Sequence, residues 1–144
     1  MQIRISTKVG QSLTKVRDGF NAELFVKLNP PFPSVEVLKF DGCKKGDFVE
    51  LLLDFKVSKQ KWVSEITFDN ETEQIFEFID EGILMPFPFS NWKHHHMIIA
   101  TENGCEIVDQ IDYQANNGLM TFLVYPLLFL QFLYRKPVYR KVFK

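Results

Sequence analysis

The sequence GLMTFLVYPLLFLQFLY, residues 118–134, decides the fold of this protein. It is apolar at nearly every position except Thr121, Pro126 and Gln131, and it is too long for a strand. The pattern therefore predicts a buried helix near the end of the chain. Pro126 is expected to bend this helix or to remove one of its hydrogen bonds, and Pro137 is expected to end or restart it.

Upstream of this helix, the chain begins with a predicted strand and two predicted short helices. Alternating polar and apolar residues over positions 2–9 indicate a half-buried strand. Ser12 and Asn21 suit the N-cap positions of two short helices, because their side chains accept hydrogen bonds from free backbone N–H groups. The second helix must stop at the proline-rich residues 30–33.

Six further strands are predicted between the short helices and the long one, with turns at residues 69–71 and 102–104. The predicted strands cover residues 35–39, 49–57, 62–68, 74–80, 93–101 and 105–114. Seven strands joined by short turns indicate one curved antiparallel sheet, whose concave apolar face needs a cover. The sequence thus predicts an α+β helix-grip fold, in which the long C-terminal helix lies over a cavity.

The composition fits one globular domain over residues 1–144. Hydrophobic residues make up 46% of the chain and charged residues 24%, which excludes disorder and fibrous repeats. The net charge of -1 does not favour a nucleic acid as partner. The chain carries 15 Phe, 4 Tyr and 2 Trp, and such rings suit the wall of an apolar cavity. Among them, Phe55 and Trp62 are expected to be largely buried.

A cytoplasmic location is predicted. Cys43 and Cys105 show no metal-binding spacing, so two free thiols are expected, and the strand-like N-terminus lacks the apolar core of a signal peptide. Residues 119–134 would span roughly 24 Å as a helix, less than the hydrocarbon core of about 30 Å, so no transmembrane segment is predicted. The basic C-terminus leaves contact with an anionic membrane surface as a weaker alternative to a solvated helix end.

All three histidines lie in one strand-like segment that begins at Trp92. Alternation puts Trp92, His94 and His96 on one face of the strand and His95 on the other. His94 and His96 would be about 6.5–7 Å apart along the strand, close enough to share a ligand. They could hold a metal only with a third donor from another strand. No spacing in the sequence supplies that donor, so neither a metal nor another cofactor is predicted.

A carboxylate on the following strand is expected to lie near these histidines. Asp109 and Tyr113 share one face of that strand, and a hairpin turn joins it to the histidine strand. A carboxylate beside an imidazole would orient the ring and raise its pKa. Three interpretations stay open: a polar patch in which carboxylates satisfy the histidines, a ligand-binding group, and a metal or acid–base catalytic group.

The histidine segment carries a resemblance to a known superfamily. The pattern consists of Pro86-Phe87, Trp92-x-His94-x-His96, Asp109-x-Ile111-x-Tyr113 and the closing segment Phe132-Leu-Tyr-Arg-Lys136. It resembles the START-like, or SRPBCC, superfamily, which includes Bet v 1-like proteins and polyketide cyclase/dehydrase relatives. The resemblance implies a helix-grip fold and a cavity for hydrophobic small molecules, but it does not imply a reaction.

Two functional hypotheses follow. The first is a binding module whose cavity holds a lipid-like or polycyclic ligand, with a few polar groups fixing its orientation. The second is a cyclase or dehydratase in which His94 or His96 acts as general base with Asp109 or Tyr113 as partner. The sequence favours the binding module, because no substrate-positioning motif and no oxyanion donors can be identified. The predicted cavity-lining residues are Trp92, His94, His96, Asp109 and Tyr113.

Overall fold

The computed structural model describes all residues from Met1 to Lys144 and contains seven strands and four helices. The elements in chain order are β1 (Gln2–Val9), α1 (Leu13–Asp18), α2 (Ala22–Leu28), β2 (Ser34–Phe40), β3 (Phe48–Asp54), β4 (Lys59–Glu71), β5 (Ile75–Leu84), β6 (Phe89–Thr101), β7 (Gly104–Ala115), α3 (Gly118–Leu133) and α4 (Arg135–Val142). The predicted element order is confirmed: one strand, two short helices, six strands and a long helix, which is followed by the short helix α4.

The seven strands form one antiparallel sheet with the order β1-β7-β6-β5-β4-β3-β2, curled into a half-barrel. Strands β2 to β7 pair with their neighbours along the chain, whereas β1 pairs with β7, with Ile5 opposite Asp109.

The turn from β6 to β7 lies against the end of β1. Gly104 has a φ of 151°, and a Cβ atom there would collide with the carbonyl oxygen of Val9. The close approach of β1 to this hairpin therefore requires glycine.

The two short helices begin at the residues that the sequence predicts. The side chain of Ser12 accepts a hydrogen bond from the Lys15 backbone N–H, and Asn21 accepts one from the Leu24 N–H. Both helices turn an apolar side toward the sheet, where Val16, Leu24 and Leu28 are buried. The helices thereby close one end of the half-barrel.

The C-terminal helix covers the sheet but is less buried than the sequence predicts. Helix α3 packs against β7 and β1, and it buries only Thr121, Leu128 and Phe132. Its outward side exposes apolar residues: Leu119, Phe122, Leu123, Leu130 and Leu133. The prediction of a buried helix is therefore wrong for this side, because a single helix lying on a sheet can bury only one of its faces.

Helix α4 begins two residues before Pro137, so this proline lies in its first turn, where a missing N–H costs little. By length and composition alone, the continuous stretch Gly118–Val142 would suffice to cross a membrane. In the fold, its inner side packs on the sheet.

Three details of the sequence analysis need correction. Strand β4 continues through residues 69–71, so the turn into β5 falls at residues 72–74. The predicted third strand ends at Asp54, which leaves Phe55 in a loop. Phe55 and Trp62 are half-buried rather than largely buried, because both face a cavity between the sheet and the helices.

Candidate functional site

A cavity of about 280 Å³ lies between the concave face of the sheet and the helices that cover it. Strands β3, β4 and β6 form one wall, α2 and the loop after it form a second, and α3 forms the third. Most of the lining is apolar: Phe25, Phe32, Val35, Val49, Leu51, Leu53, Phe55, Trp62, Phe87, Phe89, Trp92, Val124, Leu127, Leu128 and Phe132, together with the prolines Pro30, Pro33, Pro86 and Pro88. The polar lining residues are Asn29, Ser64, Asp80, His94, His96, Gln131 and Arg135.

Three of the five predicted site residues line this cavity. Trp92, His94 and His96 lie on the concave face of β6, as strand alternation predicts, and all three are buried. Asp109 lies behind the two histidines rather than in the wall. Tyr113 does not line the cavity, because its hydroxyl donates a hydrogen bond of 2.7 Å to the Thr121 carbonyl oxygen at the start of α3. Tyr113 therefore positions the helix.

Asp109 and the histidines form the closest polar contacts of the site. The register of β6 and β7 places His96 opposite Asp109. Asp109 Oδ1 lies 2.9 Å from His94 Nε2 and 3.3 Å from His96 Nδ1. The hairpin turn thus brings the carboxylate to the imidazoles, as the sequence analysis expects. The two imidazole rings lie side by side, with their centroids 3.6 Å apart.

The site also contains residues that the sequence analysis does not identify. Asp80 on β5 lies opposite His94, and its Oδ2 is 3.7 Å from His94 Nδ1 and 3.5 Å from His96 Nε2. A signal for Asp80 exists: it continues the alternation of Phe76 and Phe78 and so puts a charge on an apolar face.

Two residues of α4 also contact Asp109 and complete the polar cluster. Arg135 Nη1 donates a hydrogen bond of 3.2 Å to Asp109 Oδ1, and the Tyr139 hydroxyl donates one of 3.3 Å to Asp109 Oδ2. Arg135 belongs to the closing segment of the superfamily resemblance, but no spacing relates it to β7. Its contact with Asp109 depends on how α4 docks on the sheet.

The charges of this cluster compensate one another. Burial tends to raise the pKa of Asp109, but Arg135 and the two histidines hold it well below its usual value. Burial also tends to raise the pKa of Asp80, and the histidines keep it below its usual value. Both carboxylates are therefore ionised at neutral pH, and Arg135 provides a fixed positive charge beside them.

The two histidines respond to their surroundings in opposite directions. Burial and repulsion from His96 lower the pKa of His94 to about 4, despite the neighbouring Asp109 and Asp80. Burial acts on His96 in the same direction, but contacts with Asp109 and Asp80 outweigh it and raise the pKa of His96. The pair therefore accepts one proton readily and a second one only in acid.

We expect the stability of the metal-free protein to have a maximum near pH 6.5. Below this pH, His94 stays neutral in the folded state while it takes up a proton in the unfolded state, so the free energy of unfolding falls by up to about 3 kcal/mol toward pH 4. Above this pH, the free energy of unfolding falls again. The pKa of His96 is higher in the folded than in the unfolded state, and the stabilisation that its proton provides is lost as the pH rises. Urea unfolding between pH 4 and 9 in chelator-treated protein measures this profile. A curve that is flat between pH 4 and 6.5 would contradict the assignment for His94.

Three donors of this cluster face one another closely enough to hold a metal ion. Single donor atoms of Asp80, His94 and His96 all lie within 4.8 Å of one another. The prediction of no metal site was based on the lack of a third donor on another strand, and Asp80 on β5 supplies that donor. The third donor that the sequence analysis could not identify is thereby found, and the absence of a bound metal stays a prediction.

Solved structures are similar to this chain over nearly its whole length. The Zhui aromatase/cyclase from Streptomyces sp. R1128 has a TM-score of 0.70 and 12% sequence identity, with 95% of this chain and 89% of that chain covered. The protein Ms6760 from Mycobacterium smegmatis has a TM-score of 0.64 and 14% identity, with 95% and 89% covered. The allergen Ara h 8.0201 has a TM-score of 0.59 and 12% identity, with 96% of each chain covered. No family model and no curated protein matches the sequence.

These similarities identify the fold. The chain has the helix-grip fold of START-like, Bet v 1-like proteins, as the sequence predicts. Identities of 12–14% carry the likeness no further than the fold. What the cavity holds therefore has to be argued from its own residues.

Proposed function

We propose that this protein binds a hydrophobic small molecule in the cavity between the sheet and α3. The observation that carries the proposal is the cavity itself, whose aromatic and aliphatic wall ends in one cluster of polar side chains. Ligand sites commonly combine a mostly apolar lining with a few polar groups that fix orientation. The volume of about 280 Å³ is close to the lower end of the usual range of about 300–1,000 Å³, which favours a compact ligand over a long lipid chain.

The polar cluster indicates which end of the ligand carries its polar group. His94, His96 and Arg135 line the cavity and belong to this cluster, and Asn29, whose amide nitrogen is buried without a hydrogen-bond partner, also lines the cavity. His96, Arg135 and Asn29 can donate hydrogen bonds at neutral pH, whereas the N–H of the neutral His94 imidazole is directed to Asp109. We therefore propose a ligand with a carbonyl, hydroxyl or anionic oxygen at one end and an apolar ring system at the other.

The two tryptophans of the chain provide a direct test of occupancy. Trp62 and Trp92 both line the cavity, with their ring centroids 4.9 Å apart in an edge-to-face arrangement. A ligand that enters the cavity must change the surroundings of both indoles. We expect anilinonaphthalene sulfonate, which has an aromatic body and one anionic group, to change the tryptophan emission with a saturable, single-site dependence.

A cavity-filling substitution should abolish this binding. Leu51 faces the cavity on β3, whereas its neighbour Leu52 lies on the other face of the same strand and does not line the cavity. We expect Leu51→Trp to reduce the affinity for anilinonaphthalene sulfonate at least tenfold, because the larger ring occupies the space of the ligand. Displacement calorimetry or dye fluorescence measures the change. Leu52→Trp is the matched control, and equal losses in both variants would contradict a ligand site in this cavity.

The second candidate is a cyclase- or dehydratase-type enzyme. The observation that favours it is the buried pair formed by His94 Nε2 and Asp109 Oδ1 at 2.9 Å, with the other side of the imidazole toward the cavity. A carboxylate that holds one ring nitrogen fixes the tautomer of a general base. Against it, the pKa of His94 is lowered to about 4, which makes the imidazole a weak base at neutral pH. Product analysis of compounds that bind would separate the two: chemical conversion identifies an enzyme, and unchanged recovery identifies a binding protein.

We further propose that the protein works in a reducing compartment such as the cytoplasm. Cys43 and Cys105 are free thiols, and Cys105 is fully buried in the core. Burial raises the pKa of the Cys43 thiol to about 12, which keeps it protonated and unreactive. Neither cysteine is arranged for the disulfide chemistry of an oxidising compartment.

A further inference from the structure

We propose that Asp80, His94 and His96 bind one divalent transition-metal ion, such as Zn²⁺ or Fe²⁺, at the polar end of the cavity. The three side chains project from two adjacent strands, β5 and β6, whose register places Asp80 opposite His94. Two imidazoles and one carboxylate form a donor set suited to such ions. This proposal does not depend on the ligand proposed above, since the ion is bound by the protein alone.

The distances between the donor atoms fit one shared ion. Asp80 Oδ2 lies 3.5 Å from His96 Nε2 and 3.7 Å from His94 Nδ1. Donors that bind zinc at about 2.0–2.2 Å in tetrahedral geometry are about 3.4 Å apart. Both distances from Asp80 are close to this value, and all three donor atoms lie within 4.8 Å of one another. These three ligands leave at least one coordination position for water or for a ligand in the cavity.

His94 and Asp80 each make a further hydrogen-bonding contact with the side-chain atom that would not bind the ion, as metal-binding side chains do. His94 uses its other nitrogen, Nε2, to contact Asp109 Oδ1 at 2.9 Å, which sets Nδ1 toward Asp80. Metal-binding histidines usually hold a carboxylate or carbonyl with their second nitrogen in this way. The remaining oxygen of the Asp80 side chain, Oδ1, accepts a hydrogen bond of 3.3 Å from Trp92 Nε1. Oδ2 is thereby left free for an ion.

The unpartnered ring nitrogens of His96 are an independent observation that supports a bound ion. This side chain is 2% exposed and lines the cavity, yet neither of its ring nitrogens has a hydrogen-bond partner. The carboxylate oxygens near it lie at 3.3 and 3.5 Å without hydrogen-bond geometry. An unsatisfied polar group in such a buried position is costly. A metal ion between His96 Nε2 and Asp80 would satisfy the nitrogen directly.

The local charge also favours a cation. Asp80 and Asp109 contribute two negative charges, and Arg135 contributes the one positive charge that is fixed. One negative charge beside His94 and His96 is therefore not balanced by a fixed cation. A divalent ion can balance it, because it neutralises the excess carboxylate charge and binds the neutral imidazoles.

Metal titration of chelator-stripped protein tests the proposal. We expect Zn²⁺ to bind with one ion per chain in competition calorimetry, and Co²⁺ to produce visible d–d absorption at the same stoichiometry. His96→Phe and Asp80→Asn should each weaken Zn²⁺ binding at least 100-fold. Asp109→Asn, which changes only the carboxylate behind the ligands, should weaken it about 10–100-fold.

The matched control is His95→Phe on the same strand. His95 points to the other face of β6, where its Nε2 lies 2.8 Å from Glu77 Oε1, so its loss should leave Zn²⁺ affinity unchanged. Circular dichroism checks that each variant is folded, and Asp80→Asn serves if His96→Phe is not. Binding that follows His95 rather than Asp80 and His96, or no stoichiometric binding to the stripped wild-type protein, would overturn the proposal.

Discussion

Asp109→Ala is expected to lower the free energy of unfolding by about 3–5 kcal/mol. Asp109 is 1% exposed and accepts contacts from His94, Arg135 and Tyr139, which belong to β6 and α4. Its removal leaves the Arg135 guanidinium without its carboxylate in a largely buried position. Breaking one side of a buried ion pair usually costs more than the pair contributes, because the remaining charge stays desolvated. Urea unfolding monitored by circular dichroism measures the loss.

Two further variants identify the cause of this loss. Asp112→Ala removes a carboxylate of the same strand that contacts only Gln2 at the surface, and it should change stability by less than about 0.5 kcal/mol. Arg135→Met in the Asp109→Ala background should restore part of the stability, because it removes the uncompensated charge. If the double variant is as unstable as the sum of the two single variants, the ion pair does not explain the effect.

Phe78→Ala is expected to be similarly destabilising, by about 3–5 kcal/mol. Phe78 is 1% exposed, stacks on the His96 ring with centroids 4.4 Å apart and contacts Phe20 edge to face. Deleting this ring leaves a void in the larger of the two core clusters and removes one support of the histidine pair. Thermal or urea unfolding measures the change.

Phe55→Ala is the matched control for this prediction. Phe55 also carries an aromatic ring, but it is half-buried at the cavity wall and contacts Phe32 at its edge. We expect a loss of only about 1 kcal/mol, since part of its surface already faces open space. Equal losses for the two phenylalanines would mean that the cavity is collapsed in solution.

Most of the architecture follows from local patterns in the sequence. Alternation over residues 2–9 and N-caps at Ser12 and Asn21 are properties of a few consecutive residues, and they predict β1, α1 and α2 correctly. The outward face of α3 could not be predicted in the same way. An apolar run such as residues 118–134 is compatible with burial on every side, and only the packed structure shows which side remains exposed.

The candidate site was predictable only where a short hairpin connects its parts. Trp92, His94 and His96 share a face by alternation, and the turn at residues 102–104 brings Asp109 beside them. Asp80 and Arg135 reach the same cluster through the pairing of β5 with β6 and the docking of α4. Such contacts depend on register and tertiary packing, which no spacing in a single sequence encodes.

The pairing of β1 with β7 has a consequence for the order in which the protein folds. Strands β2 to β7 can assemble through successive hairpins, each closing a short loop, whereas Val9 meets Cys105 only after β7 has been made. During synthesis, β1 therefore has no partner strand until β7 has been made. Its apolar residues Ile3 and Ile5, which are buried in the folded protein, stay exposed to solvent until then. We therefore expect a nascent chain of this protein to be most prone to aggregation until β7 has left the ribosome.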